Sequence, residues 1–134
     1  MKEVDERVKI EIEMLRARYP DLKVSPDERW VLVPSYPLPP GWKLSSTSVA
    51  FQIPVGYPGT PPYGIYVPVG LLFQEKRPNN YTEPAASQPP FAGSWGIFSW
   101  QPQDSKWFSR ADPVTGSNLL NWVIGFTDRF REGI

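Results

Sequence analysis

Positions 93–113 carry one set of residues whose types could do chemistry. The apolar run Gly-Ser-Trp-Gly-Ile-Phe-Ser-Trp (93–100) carries Ser99 at its end, and the loop after it brings Asp104, Ser105, Trp107, Ser109 and Asp112. A serine hydroxyl becomes a nucleophile only when a base or preorganised donors activate it. Asp104 and Asp112 are candidate bases, or candidate hydrogen-bonding orienters. The chain holds neither cysteine nor histidine. Disulfides, thiolate chemistry and the usual zinc sites are therefore excluded. A Ser-His-Asp triad and histidine acid–base catalysis are excluded within the chain as well. No metal or cofactor is expected. Chemistry here must use hydroxyls, carboxylates, amines, amides or the backbone.

The elements that would position these groups are bracketed by two amphipathic stripes. Val8, Ile12, Leu15 and Tyr19 fall at i, i+4, i+7 and i+11, which predicts a helix over residues 3–19 that Pro20 stops. Glu3, Asp5 and Glu6 suit the positive end of its dipole, and Arg16 and Arg18 the negative end. Leu119, Val123, Phe126 and Phe130 repeat the same spacing near the C-terminus, with Thr115 or Ser117 as cap and Gly133 as stop. Between the stripes, Trp30–Val33, Ser48–Ile53 and Tyr63–Phe73 read as strands, the last broken by Pro68 and Gly70 and so bent or at an edge. Asp21–Glu28 reads as a short connection. Tyr36–Trp42 is a turn-rich link; a polyproline ligand for SH3 or WW domains would use the same residues. Glu75–Pro90, polar and proline-rich, reads as a long mobile or functional loop.

Length and charge narrow the classes further. A chain of 134 residues suffices for one domain with a single core. Lys plus Arg and Asp plus Glu balance at 14 each, which argues against a nucleic-acid surface or a polybasic membrane anchor. No apolar run approaches a membrane span, and no basic segment leads into an apolar one at the start. A cytoplasmic protein is expected. Seventeen prolines and six tryptophans favour a loop-rich α+β domain over a helical bundle.

The stretch Phe51–Val67 then reads as strand, rigid turn, strand. Tyr57-Pro58 opens the turn and Pro61-Pro62 closes it, each proline fixing its own φ and biasing the residue before it toward extended geometry. A Tyr-Pro-x-x-Pro-Pro turn between two strands resembles the signature of the ubiquitin-conjugating (UBC) fold, of which RWD domains and inactive conjugating-enzyme variants carry related forms. That resemblance implies one UBC-like domain over residues 1–134: an N-terminal helix, an antiparallel sheet of about four strands and a C-terminal helix. Certain divergent bacterial UBC-like families, encoded beside activating enzymes and ubiquitin-like proteins, are similar in pattern.

The family places a glycine, two residues, and then its catalytic cysteine, with a tryptophan eight positions later in many members. Gly96-Ile97-Phe98-Ser99 and Trp107 match both spacings with serine in place of cysteine. The resemblance thus implies that Ser99 carries the C-terminal glycine of a ubiquitin-like protein as an oxyester between an activating enzyme and an acceptor. Asn79 or Asn80 would supply the amide that supports the oxyanion, an effect worth roughly 3–4 kcal/mol per well-placed donor. Asp104, or a group of the activating enzyme, would serve as base. Lys2, Lys9 and Arg16 on the first helix would meet the activating enzyme, and Tyr57, Pro58, Pro61, Pro62 and Trp107 would face partners. Neither nucleic acid nor membrane is implied. The chain departs from the family in lacking the cysteine and the His-Pro-Asn motif, and in a longer segment between Pro62 and Ser99. The alternative is an inactive UBC variant or RWD-like interaction module, in which Ser99 is an inert strand-end serine.

Overall fold

The first helix, α1 (Lys2–Arg18), forms where the stripe predicts it. Val8, Ile12 and Leu15 are buried on one face, and the Tyr19 amide still donates to the Leu15 carbonyl at 2.7 Å before Pro20 ends the turn. The computed structural model describes residues 2–57, 60, 62–78, 80–99 and 116–132, with the backbone alone at 2–5 and 132.

Among the described residues six strands follow: β1 (Lys23–Val24), β2 (Trp30–Pro37), β3 (Ser46–Gln52), β4 (Ile65–Pro68), β5 (Tyr81–Thr82) and β6 (Trp95–Phe98). They form one antiparallel sheet in the order β1-β2-β3-β4-β6-β5. The expectation of about four strands is corrected to six. The two extra strands are two-residue ladders in the segments that read as connections, Asp21–Glu28 and Glu75–Pro90. Two residues carry no period, so no alternation announces them. The expected strand Tyr63–Phe73 shortens to β4, and Phe73 instead makes isolated bridges to Trp42 and Lys76.

Alternation sets the two faces of the sheet. Val31 pairs with Phe51 and Val33 with Val49, and both pairs face the helices together with Ile65, Val67 and Phe98. A bulge between Val33 and Tyr36, with Ser35 at φ 59°, returns Tyr36 to that same face. There its hydroxyl donates to the Val123 carbonyl at 2.8 Å and lies 2.9 Å from Thr127 Oγ1. Leu32, Ala50, Tyr66 and Trp95 line the opposite face, where Ala85 and Phe91 from the β5–β6 connection pack over them. Ile97, in β6, belongs to this second face.

The C-terminal stripe folds as two short helices, α2 (Leu119–Ile124) and α3 (Phe126–Glu132), joined through Gly125. Gly125 keeps right-handed helical geometry (φ −64°, ψ −16°), so the stripe runs on unbroken. Leu119, Val123, Phe126 and Phe130 are all fully buried in the core with Leu15, as their spacing predicts. The cap is neither Thr115, which lies outside the described residues, nor Ser117. Asn118 caps α2, its side-chain oxygen accepting from the Asn121 amide at 2.8 Å.

Candidate functional site

Ser99 is the residue after β6, exposed at the end of a strand whose last side chain is fully buried. That side chain, Phe98, sits among aromatic rings: Tyr81 at 4.8 Å, Phe130 at 5.8 Å and Trp42 at 6.1 Å between centroids. The guanidinium of buried Arg129 lies over the Phe98 ring, 4.5 Å from its centre. Two strands flank this end of β6, because Phe98 is opposite Ile65 on β4 and Tyr81 on β5. The sequence thus builds a rigid, desolvated stem and puts a hydroxyl in water at its tip.

Asn80 is brought to the same tip. The Ser99 amide donates to the Asn80 carbonyl at 2.7 Å, extending the β5–β6 ladder by one step. Asn80 is exposed and takes a left-handed conformation, φ 54°, which asparagine tolerates better than most residues. Behind it, Tyr81 buries its ring on Phe98 and donates its hydroxyl to Glu83 Oε2 at 2.8 Å. Burial, followed by the nearby Glu83 carboxylate, pushes the Tyr81 pKa up, so this hydroxyl stays a donor. Glu83 Oε2 also accepts from the Gly70 amide at 2.9 Å, and Oε1 accepts from Arg77 Nη2 at 2.9 Å. These bonds hold the Glu83 carboxyl below the usual range, the Gly70 amide first among them.

No protein-family model, curated protein or solved structure matches this chain.

Of the predicted site residues, then, Ser99 and Asn80 come together through their backbones. Asn79, Asp104 and Trp107 lie outside the described residues, as do the rivals Ser105 and Ser109 and the second candidate base Asp112. Among the described residues no group of three or more metal-binding side chains occurs, and no helix is long and apolar enough to cross a membrane.

The central turn requires a correction. Tyr57, expected to face partners, is 1% exposed. Its hydroxyl donates to Oε1 of Glu11 on α1, and burial, with that carboxylate, drives its pKa upward. Pro62 is buried too, while Pro58 and Pro61 lie outside the described residues. The tyrosine of the turn therefore fastens the turn to the helix. Glu11 gathers more than Tyr57: Oε1 also accepts from the Leu119 amide at 2.7 Å, and Oε2 from Arg7 Nε at 2.7 Å. One fully buried carboxylate joins α1, the central turn and the start of α2.

On the outer side of α1, Lys9 and Arg16 are exposed. Both line a groove against the β1–β2 turn, with Ile12, Val24 and Glu28. Arg16 Nε lies 3.2 Å from Glu13 Oε2 in an exposed pair. Lys2 belongs to α1 by its backbone.

Sequence reasoning missed Glu11 and Glu83. A signal for the first was present: Glu11 stands beside Ile12 and three residues after Val8, a carboxylate inside an apolar stripe. Nothing in the spacing of Gly70, Arg77 and Glu83 marks the cluster, since the Gly70 amide reaches Glu83 from 13 residues away.

Proposed function

We propose that this domain acts in ubiquitin-like protein conjugation as a UBC-like acyl carrier, with Ser99 as its nucleophile. Ser99 Oγ attacks the carbonyl of the modifier's C-terminal glycine, delivered as an activated ester or thioester by an activating enzyme. The new C–O bond forms, the bond to the activating enzyme's leaving group breaks, and the serine proton passes to a base, either Asp104 or a group of the activating enzyme. The resulting oxyester is less reactive toward amines than a thioester. Its transfer to an acceptor depends more heavily on donors held at the oxyanion.

The observation that carries this reading is the Ser99–Asn80 pairing: an exposed hydroxyl at the tip of a buried strand, its main chain fastened to the segment that carries both candidate asparagines. The α+β order, helix first, antiparallel sheet, helices last, is compatible with the UBC architecture. Exposed Lys9 and Arg16 suit a surface for the activating enzyme.

The second reading is an inactive UBC variant or RWD-like module, in which Ser99 is an inert strand-end serine. The two readings separate by intact-mass analysis after incubation with activating enzyme, ubiquitin-like protein and ATP. A carrier gains the modifier's mass and loses it in hydroxylamine, whereas a binding module retains its own mass throughout.

A further inference from the structure

We propose that Glu83 is the positioning residue of the Ser99 site: its carboxylate gathers three separate pieces of chain and so fixes the Asn80 carbonyl against which Ser99 is held. The functional consequence rests on the carrier reading of Ser99; the positioning itself does not.

A two-residue strand such as β5 does not hold its place by ladder bonds alone. Its flanks must be tied, and Glu83 ties them. Oε2 takes the Gly70 amide from the turn after β4 and the Tyr81 hydroxyl from β5, while Oε1 takes Arg77, three residues before Asn80. The chain on both sides of Asn80 is thereby bound to one side chain. This matters because a left-handed φ of 54° is one of several conformations open to an exposed asparagine, and the ties on either side select it. The restraint then reaches Ser99 by two routes. One is the 2.7 Å bond from the Ser99 amide to the Asn80 carbonyl. The other is the Tyr81 ring on Phe98, the residue before Ser99. Gly96 keeps the second route open, because a β-carbon there would run into the Tyr81 hydroxyl.

The charge of Glu83 also matters. A glutamine keeps one oxygen for Gly70 and Tyr81 but turns an amide donor toward Arg77, which has no acceptor to offer. Glu83→Gln therefore removes one of the three attachments, and Glu83→Ala removes all three. The groups facing this carboxylate are the Arg77 guanidinium, the Tyr81 hydroxyl and the Gly70 amide.

Amide hydrogen exchange by NMR tests the positioning, and single-turnover ester formation tests its consequence. In Glu83→Ala the Ser99 amide is expected to exchange about tenfold faster, the scale of a lost hydrogen bond, with a smaller increase in Glu83→Gln. The Val31 and Phe51 amides, in the middle of the sheet, should be unchanged. In the wild type, the Ser99 amide resonance should follow a titration below the ordinary glutamate range, and Glu83→Gln should abolish it. Ester formation should slow in the same order, while the half-saturating concentration of activating enzyme stays fixed. Unchanged Ser99 exchange in both variants overturns the proposal. If Glu83→Ala fails to fold, Glu83→Gln alone decides. Accelerated exchange in the variants, with no adduct even on the wild type, retains Glu83 as the positioning residue and defeats the carrier reading.

Discussion

The hydroxyl of Tyr57 and the carboxylate of Glu11, 46 residues apart in sequence, are hydrogen-bonded in the interior between the central turn and α1. The same Glu11 oxygen accepts the first amide of α2. A proline-rich turn that reads as surface is thereby made part of the core, and the N-terminal helix, the turn and the C-terminal helices become one cooperative unit.

This bond predicts a stability hierarchy. Tyr57→Phe should cost about 1–3 kcal/mol, since Glu11 keeps its other donors while losing one inside the core. Glu11→Ala should cost more, about 3–5 kcal/mol, because it removes the one buried carboxylate that the Tyr57 hydroxyl, the Leu119 amide and the Arg7 guanidinium share. Urea unfolding monitored by tryptophan fluorescence measures both. Equal midpoints for Tyr57→Phe and wild type would remove Tyr57 from the core network.

The cap of α2 gives an independent prediction. Asn118→Ala removes the side-chain acceptor of the Asn121 amide and should cost about 1 kcal/mol, whereas Ser117→Ala should leave helix stability unchanged through capping. Thermal unfolding of the two variants distinguishes the positions.

The lowered pKa of Glu83 has a direction in pH. A carboxyl whose folded pKa lies below its unfolded value contributes stability above the unfolded value, about 4.3, and loses it as pH falls through the folded one. The Tm difference between wild type and Glu83→Gln should therefore be constant near neutrality and shrink below about pH 4. A difference that stays constant down to pH 2 would mean that this carboxylate is not ionically engaged.

Charge reversal at Lys9 and Arg16 tests the outer face of α1. Such rim charges act mainly on association rate and its salt dependence. Stopped-flow binding to an activating enzyme should show a slower on-rate with a flatter salt slope and a nearly unchanged off-rate. Identical salt slopes for wild type and the doubly reversed variant would assign the contact to another surface.

Much of this architecture is legible in the sequence because it is periodic. Leu15 and Val123 announce two buried stripes, and Val31, Phe51 and Ile65 announce alternating strands; all are buried as their periods require. What is not legible is aperiodic. β1 and β5 are too short to alternate, and Asn118 is passed over for the hydroxyl residues on its N-terminal side. The burial of Tyr57 depends on a partner in another element. Chain distance hides the Ser99–Asn80 contact, because the connection from Glu83 to Ser94 leaves the sheet and returns. Gln88 closes that excursion, its amide accepting from the Trp95 N–H at 2.9 Å and donating to the Trp95 carbonyl at 3.0 Å. The side chain stands in for a strand partner, a role that no spacing rule identifies.

The carrier role of Ser99 is tested most directly by the modifier adduct itself. Wild type, Ser99→Ala and Ser99→Cys are incubated with the cognate activating enzyme, ubiquitin-like protein and ATP, and the adduct is followed by intact mass with thiol reductant or hydroxylamine added. Wild type should form an adduct that survives reductant and yields to hydroxylamine, Ser99→Ala should form none, and Ser99→Cys should form one that reductant removes. An adduct of wild-type yield on Ser99→Ala would contradict the account and assign the nucleophile to another residue.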